Sequence, residues 1–247
     1  LFYANNRDLF IEVTHGPHLV DHNILGSRYS LDNHAQGGAY VNNLFAGKIV
    51  VHKILDRSTP YHYPHSTEVS GFTVVHGGDD RFFRNLFVEA EKKDVVLGTA
   101  VYEGYHDSWE SYIQEIRDFG QGDHEEFMKV QQPVYLKDNL YLDGVKAGPQ
   151  EHEAQVEDFA THYKIEVDDE KVYLVLNLPE DLPEFSKPVH MKDLPPARFP
   201  DQEFETPQAE SVAIDQDFLG SCDTETYGVG PIHTLKPGQN KILLWEA

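Results

Sequence analysis

The phrase Leu19-Val20-Asp21-His22-Asn23-Ile24-Leu25 returns as Tyr40-Val41-Asn42-Asn43-Leu44-Phe45, then as Phe82-Phe83-Arg84-Asn85-Leu86-Phe87. A looser copy is Val134-Tyr135-Leu136-Lys137-Asp138-Asn139-Leu140-Tyr141. Each copy is an apolar or aromatic run, a polar stretch ending in Asn, and two further apolar residues. The closing asparagines are Asn23, Asn43, Asn85 and Asn139. A period near 20 carried by short β-branched and aromatic strands marks stacked repeats. The second spacing is about two periods, and the third leaves room for an insertion. The reading is an all-β chain folded as a right-handed parallel β-helix, a solenoid whose turns stack about 4.8 Å apart through main-chain hydrogen bonds. Asn suits its tight corners because it tolerates left-handed backbone. Amides stacked one above the next can also bond as a ladder.

Leu1-Phe2-Tyr3-Ala4 aligns with Leu44-Phe45-Ala46-Gly47, so the chain opens inside the phrase. A solenoid needs a cap over its open edge, and none is visible before Leu1. The expectation is the C-terminal part of a longer polypeptide, with the preceding part as its partner. Residues 1–147 hold the repeat. A helical insertion is expected at about 105–130, with Ser108 as N-cap, then Trp109, Tyr112, Ile113, Ile116 and Phe119 at helical spacing and Gly120 as the stop. Asp123 with Glu126 resembles a second capping box. Residues 148–247 read as a C-terminal β extension packed on the repeat. It contains an acidic stretch at 150–158, a hairpin of 163–167 with 172–178, a proline-rich segment, and short strands at 212–214 and 241–245.

The chain has 247 residues, 40 % of them apolar, with 20 Lys+Arg against 42 Asp+Glu and a formal charge of −22. That field repels phosphate, so nucleic acid and anionic membrane are excluded as partners and a neutral or cationic ligand is favoured. No run of about 18 apolar residues is present to span a bilayer. The single cysteine, Cys222, excludes a disulfide framework and cysteine-based zinc sites. It points to a reducing, cytoplasmic setting, with secretion also compatible. A homo-oligomer is compatible with the sequence.

Chemistry-bearing residues cluster beside glycines and aromatics: Glu12, His15, Asp32, His65, Glu68 and Asp80. On stacked turns they would build a polar and aromatic groove of the kind that holds neutral sugars. Glu12 sits among Phe10, Ile11 and Val13, where burial would raise its carboxyl toward general-acid duty. A retaining glycosidase needs a second carboxylate about 5–5.5 Å away. Stacked strands supply nearly that spacing, and the strand before Glu12 lies upstream of Leu1. His15, His18 and His22, or His62 and His65, invite a metal reading, but His15 and His18 share no strand face, with Pro17 between them. Histidines in so acidic a chain more often serve as hydrogen-bonding groups, so no metal or cofactor is expected.

The stretches Asp8–Pro17, Gly16–Asp21, Gln36–Tyr40, His65–Glu68 and Gly77–Phe82 resemble the C-terminal half of glycoside hydrolase family 120. The resemblance implies a β-xylosidase on a right-handed parallel β-helix, acting by a retaining, exo mechanism on xylo-oligosaccharides or another neutral glycoside. It implies Glu12 as general acid/base, with an Asp nucleophile in the preceding part, so that this chain alone is inactive. His15, Asp32, His65, Glu68 and Asp80 are then expected at the sugar. A calcium-dependent polysaccharide lyase and a non-catalytic carbohydrate-binding solenoid are the alternatives, and the scarcity of basic residues disfavours the lyase.

Overall fold

The computed structural model describes residues 1–89, 98–118, 131–222 and 225–247. Arg7–Glu12 (β1), His18–Asp21 (β2) and Ile24–Leu25 (β3) are followed by a second trio, Tyr29–His34 (β4), Gly38–Val41 (β5) and Leu44–Phe45 (β6), and by Lys48–Val51 (β7). The pattern then changes. Ile54–His62 (β8) and Val69–Val75 (β9) form an antiparallel hairpin. Strands next come in pairs: Asp80–Phe83 (β10) with Leu86–Phe87 (β11), Val134–Lys137 (β12) with Leu140–Tyr141 (β13), and Glu151–His152 (β14) with Gln155–Val156 (β15). Between the first two pairs stands the helix Trp109–Asp118 (α1). Ser108 caps it, its Oγ accepting from the Ser111 N–H at 3.2 Å. The expected stop at Phe119–Gly120 and the Asp123/Glu126 box lie outside the described residues.

These strands assemble into parallel sheets ordered β1-β4-β7, β14-β12-β10-β5-β2 and β15-β13-β11-β6-β3. The C-terminal region is antiparallel instead. Lys164–Asp168 (β16), Lys171–Leu178 (β17) and Gly238–Glu246 (β20) form one sheet, while Val189–His190 (β18) pairs with Ala213–Ile214 (β19).

This corrects the expected fold class. Two five-stranded parallel sheets continue to Val156, whereas the third has three strands and stops at β7. The architecture is a parallel β-sandwich with a short third sheet, one described α-helix and antiparallel additions, rather than a regular β-helical solenoid. The reason lies in the two long intervals, from Asn43 to Asn85 and from Asn85 to Asn139. They are filled by the β8–β9 hairpin and by the segment carrying α1, which depart from the parallel ladder where a regular repeat would continue.

The asparagine ladder is present. The Asn43 Oδ1 accepts from the Asn23 N–H at 2.9 Å, Asn85 Oδ1 from the Asn43 N–H at 2.9 Å, and Asn139 Oδ1 from the Asn85 N–H at 2.8 Å. The left-handed corner, however, falls one residue earlier than expected. His22, Asn42, Arg84 and Asp138 have φ of 50°, 52°, 55° and 57°. The ladder asparagines are thereby freed to use both amide ends on their neighbours.

Tyr40, Phe82, Phe45, Phe87 and Tyr141 fill the space between the sheets, with Tyr40 stacked on Phe82 at 4.5 Å and Phe87 on Tyr141 at 4.7 Å. Ring pairs of this kind add to area burial. Leu174, Leu176 and Leu178 of β17 cover Ile24, Leu44, Leu86 and Leu140 on the outside of one large sheet. Val189, Met191, Leu194, Phe204 and Ile214 cover Ala39 and Val41 on the other. The outer side of β1-β4-β7 has no such cover among the described residues: Phe10 remains 46 % exposed. No described helix is long and apolar enough to cross a membrane.

Candidate active site

Alternation on β1 sends Leu9 and Ile11 toward the core and leaves Phe10 and Glu12 on the open face. Parallel register then dictates their neighbours. Phe10 lies beside Asp32, which lies beside Val50; Glu12 lies beside His34. Asn33 is paired with Val51, so His52 falls next to His34. The chain thus lays a row of Glu12, His34 and His52 across the sheet, with Asp32 two residues before His34 on the same side.

Asp32 is the hub. Its Oδ2 takes Arg7 Nη1 at 2.5 Å, and its Oδ1 lies 3.1 Å from His34 Nε2 and 3.0 Å from His52 Nε2. Partial burial alone would raise this carboxyl, but the Arg7 hydrogen bond and the nearby histidines outweigh it and hold the carboxyl below its usual range. The His34 and His52 rings stack at 3.9 Å, and Phe10 meets the His34 ring edge-on at 5.0 Å. The Arg7 guanidinium sits 4.5 Å above the Phe10 ring.

Glu12 is not enclosed. Its side chain is 53 % exposed and accepts from Arg57 Nη2, of β8, at 2.8 Å. The apolar shelter expected from its sequence neighbours is absent among the described residues, because Ile11 turns inward and β1 is an edge strand. Val13, directly after Glu12, has φ +35°, an unfavourable region for a β-branched residue and a point of strain beside the acid.

The other sequence-derived residues separate into three places. His15 and His65 line a cleft of about 580 Å³ with Tyr61, Tyr63 and Glu205. His15 is buried, which lowers its proton affinity, and its ring nitrogens contact Thr59 O and Gln36 Nε2 at 3.1 and 2.7 Å. His65 Nε2 pairs with Glu205 at 2.6 Å. Glu68 is exposed in the hairpin turn, its N–H donating to Ser66 Oγ. Asp80 is elsewhere: it has no solvent exposure and accepts from Asn33 Nδ2, the Gly38 N–H and the Tyr102 hydroxyl at 3.1, 3.1 and 2.9 Å. Burial pushes its carboxyl up to about 7. In this chain it braces the sheets from within.

Sequence reasoning does not single out Arg7, Phe10, His34, His52 or Arg57. A signal exists for two of them: Asp32-Asn33-His34 is an i, i+2 pair on one strand, and His52 follows His34 at close to the repeat period. Asp32, His34 and His52 are also, among the described residues, a group whose donor atoms lie close enough to share one ion.

Fold and face together define a parallel-sheet protein with an open surface bearing carboxylates, histidines and an exposed aromatic ring. A solved structure, XylC in complex with xylose, is similar to it at 43 % identity and a TM-score of 0.90 over 98 % of this chain. The chain spans 38 % of the length of that protein. No family model matches the chain, and no curated protein matches it.

Proposed function

We infer that this chain is the C-terminal part of a glycosidase acting on xylose-containing saccharides, of the glycoside hydrolase family 120 type, working by a retaining mechanism. The observation that carries the reading is the 43 % identity, over 98 % of the chain, to a protein solved with xylose bound. The open face supplies the chemistry. Glu12 protonates the departing glycosidic oxygen, then takes a proton from the water that releases the glycosyl intermediate. Its strand β1 is at the edge of its sheet, so a further parallel strand would bring a carboxylate to about 4.8 Å from it, close to the separation a retaining enzyme uses. Phe10 offers a ring face for a pyranose, and Asp32 an acceptor for its hydroxyls. A neutral sugar suits a face in which Arg7 and Arg57 already neutralise the two acids.

The test is hydrolysis of an aryl β-xyloside by the full-length protein. Glu12→Gln is expected to lower kcat by about 10²–10⁴-fold with the fold intact by circular dichroism. Turnover within a few-fold of wild type would remove Glu12 from the mechanism. The exposure of Glu12 favours a second reading, sugar binding without cleavage, which predicts xylo-oligosaccharide binding by calorimetry and no released xylose.

A further inference from the structure

The geometry points to a binding site for one divalent transition metal ion of the zinc class at Asp32, His34 and His52. Two donors two residues apart on β4 and a third from the adjacent strand end put three side chains on one side of a sheet. Their donor atoms all lie within 4.8 Å of one another. Two separations are tighter: both imidazole Nε2 atoms stand 3.0–3.1 Å from the same Asp32 Oδ1. A tetrahedral zinc ion with bonds of about 2.1 Å sets its ligand atoms about 3.4 Å apart, so little movement is needed to admit it.

The surroundings are those of a held ligand set. Arg7 occupies Oδ2 of Asp32 and leaves Oδ1 directed at the histidines. Ring stacking of His34 on His52, with Phe10 against the edge of His34, restrains both imidazoles. Two imidazoles and one carboxylate oxygen suit zinc and its neighbours, whereas calcium and magnesium prefer all-oxygen shells. The His52 side chain is 42 % exposed, which leaves an entry path and a fourth position for water. A formal charge of −22 raises the local cation concentration. On binding, the two Nε2···Oδ1 contacts are exchanged for Nε2–metal and Oδ1–metal bonds, and the proton each neutral ring held on Nε2 passes through solvent to its Nδ1, so that no proton is gained or lost overall.

The experiment is zinc titration of the chelator-stripped full-length protein near neutral pH, by calorimetry and by competition with a colorimetric indicator. One equivalent is expected to bind, and that equivalent should weaken by at least about 100-fold in His34→Gln/His52→Gln. His52→Ala alone, at a half-buried position after β7, gives the same readout if the double variant fails to fold. No uptake, or equal uptake by wild type and folded variants, overturns the site and leaves a histidine–aspartate hydrogen-bond group. The readout needs no substrate, so its failure is distinct from failure of the glycosidase reading.

Discussion

Two stacks run through this molecule, and they differ in what each side chain can do for its own copy. Asn43, Asn85 and Asn139 are sealed in the core, and each amide both donates and accepts. Identical residues therefore satisfy one another, and the stack leaves no amide unpaired. Glu12, His34 and His52 are laid side by side by the same parallel register, but on the open sheet. A glutamate and two histidines do not complement one another as amides do, so this stack stays at the surface, with Arg57 against Glu12 and Arg7 against neighbouring Asp32. Repetition builds framework where the repeated group is self-complementary. It builds reactive surface where it is not.

The largest expected effect is on the framework. Asn85→Leu would remove the partner of the Asn43 main-chain N–H, of one Asn43 side-chain hydrogen and of the Tyr40 carbonyl, while Asn139 Oδ1 keeps the main-chain N–H of residue 85. At about 1–3 kcal/mol for each of these three buried groups left unpaired, the loss should be about 3–9 kcal/mol. Denaturant unfolding followed by far-ultraviolet circular dichroism reads it directly. His52→Ala on the open row should cost less than about 1 kcal/mol. Equal losses would erase the distinction between the two stacks.

A second, smaller effect separates buried from surface carboxyls by pH. Burial pushes Asp80 and Glu151 up to about 7, so the folded state keeps protons that the unfolded chain releases near pH 4. Their contribution is present below the unfolded value and is lost as pH rises to about 7. His18 and His76, pushed down to about 4 by burial, act oppositely over the same range: their neutral forms favour the fold more as pH rises. The whole-protein profile is therefore a partial cancellation, and single variants expose its parts. Asp80→Asn should gain stability relative to wild type between about pH 4 and 7, by at most about 1.4 kcal/mol per unit. A difference independent of pH would mean that Asp80 is ionised throughout. Asp32, held low among cations, contributes with the other sign: its share is lost only as pH falls through its lowered value.

What the sequence makes legible follows the same division. The asparagine spacing gives away the parallel stacking and the ladder, because a self-complementary repeat leaves its period in the chain. It does not reveal that the third sheet ends at β7, since an insertion between Asn43 and Asn85 has the length of two periods, as if one copy of the phrase were missing. Asp80 looks like a groove residue because an acid next to paired glycines fits a ligand site. Only packing shows it enclosed by Asn33, Gly38 and Tyr102. Asp32 is legible in the sequence, and His34, two residues on in the same strand, is the one partner that local pattern offers. Arg7 and His52 reach Asp32, and Arg57 reaches Glu12, from other segments that register brings together.

The smallest effect tests whether the open face is separable from the frame. Arg57 and Glu12 are 2.8 Å apart, with side chains 55 % and 53 % exposed, so solvent screens the pair. Arg57→Ala should therefore change unfolding free energy by about 0.5 kcal/mol or less, and high salt should abolish even that. A loss several times larger, far above what exposed pairs give, would mean that the pair pins the β8–β9 hairpin onto β1 and belongs to the framework. A loss within the expected range has a structural meaning too. The hairpin would then be held by main-chain pairing and by the Thr59 contact to buried His15, leaving Arg57 and Glu12 free to rearrange around a ligand without disturbing the sheets beneath.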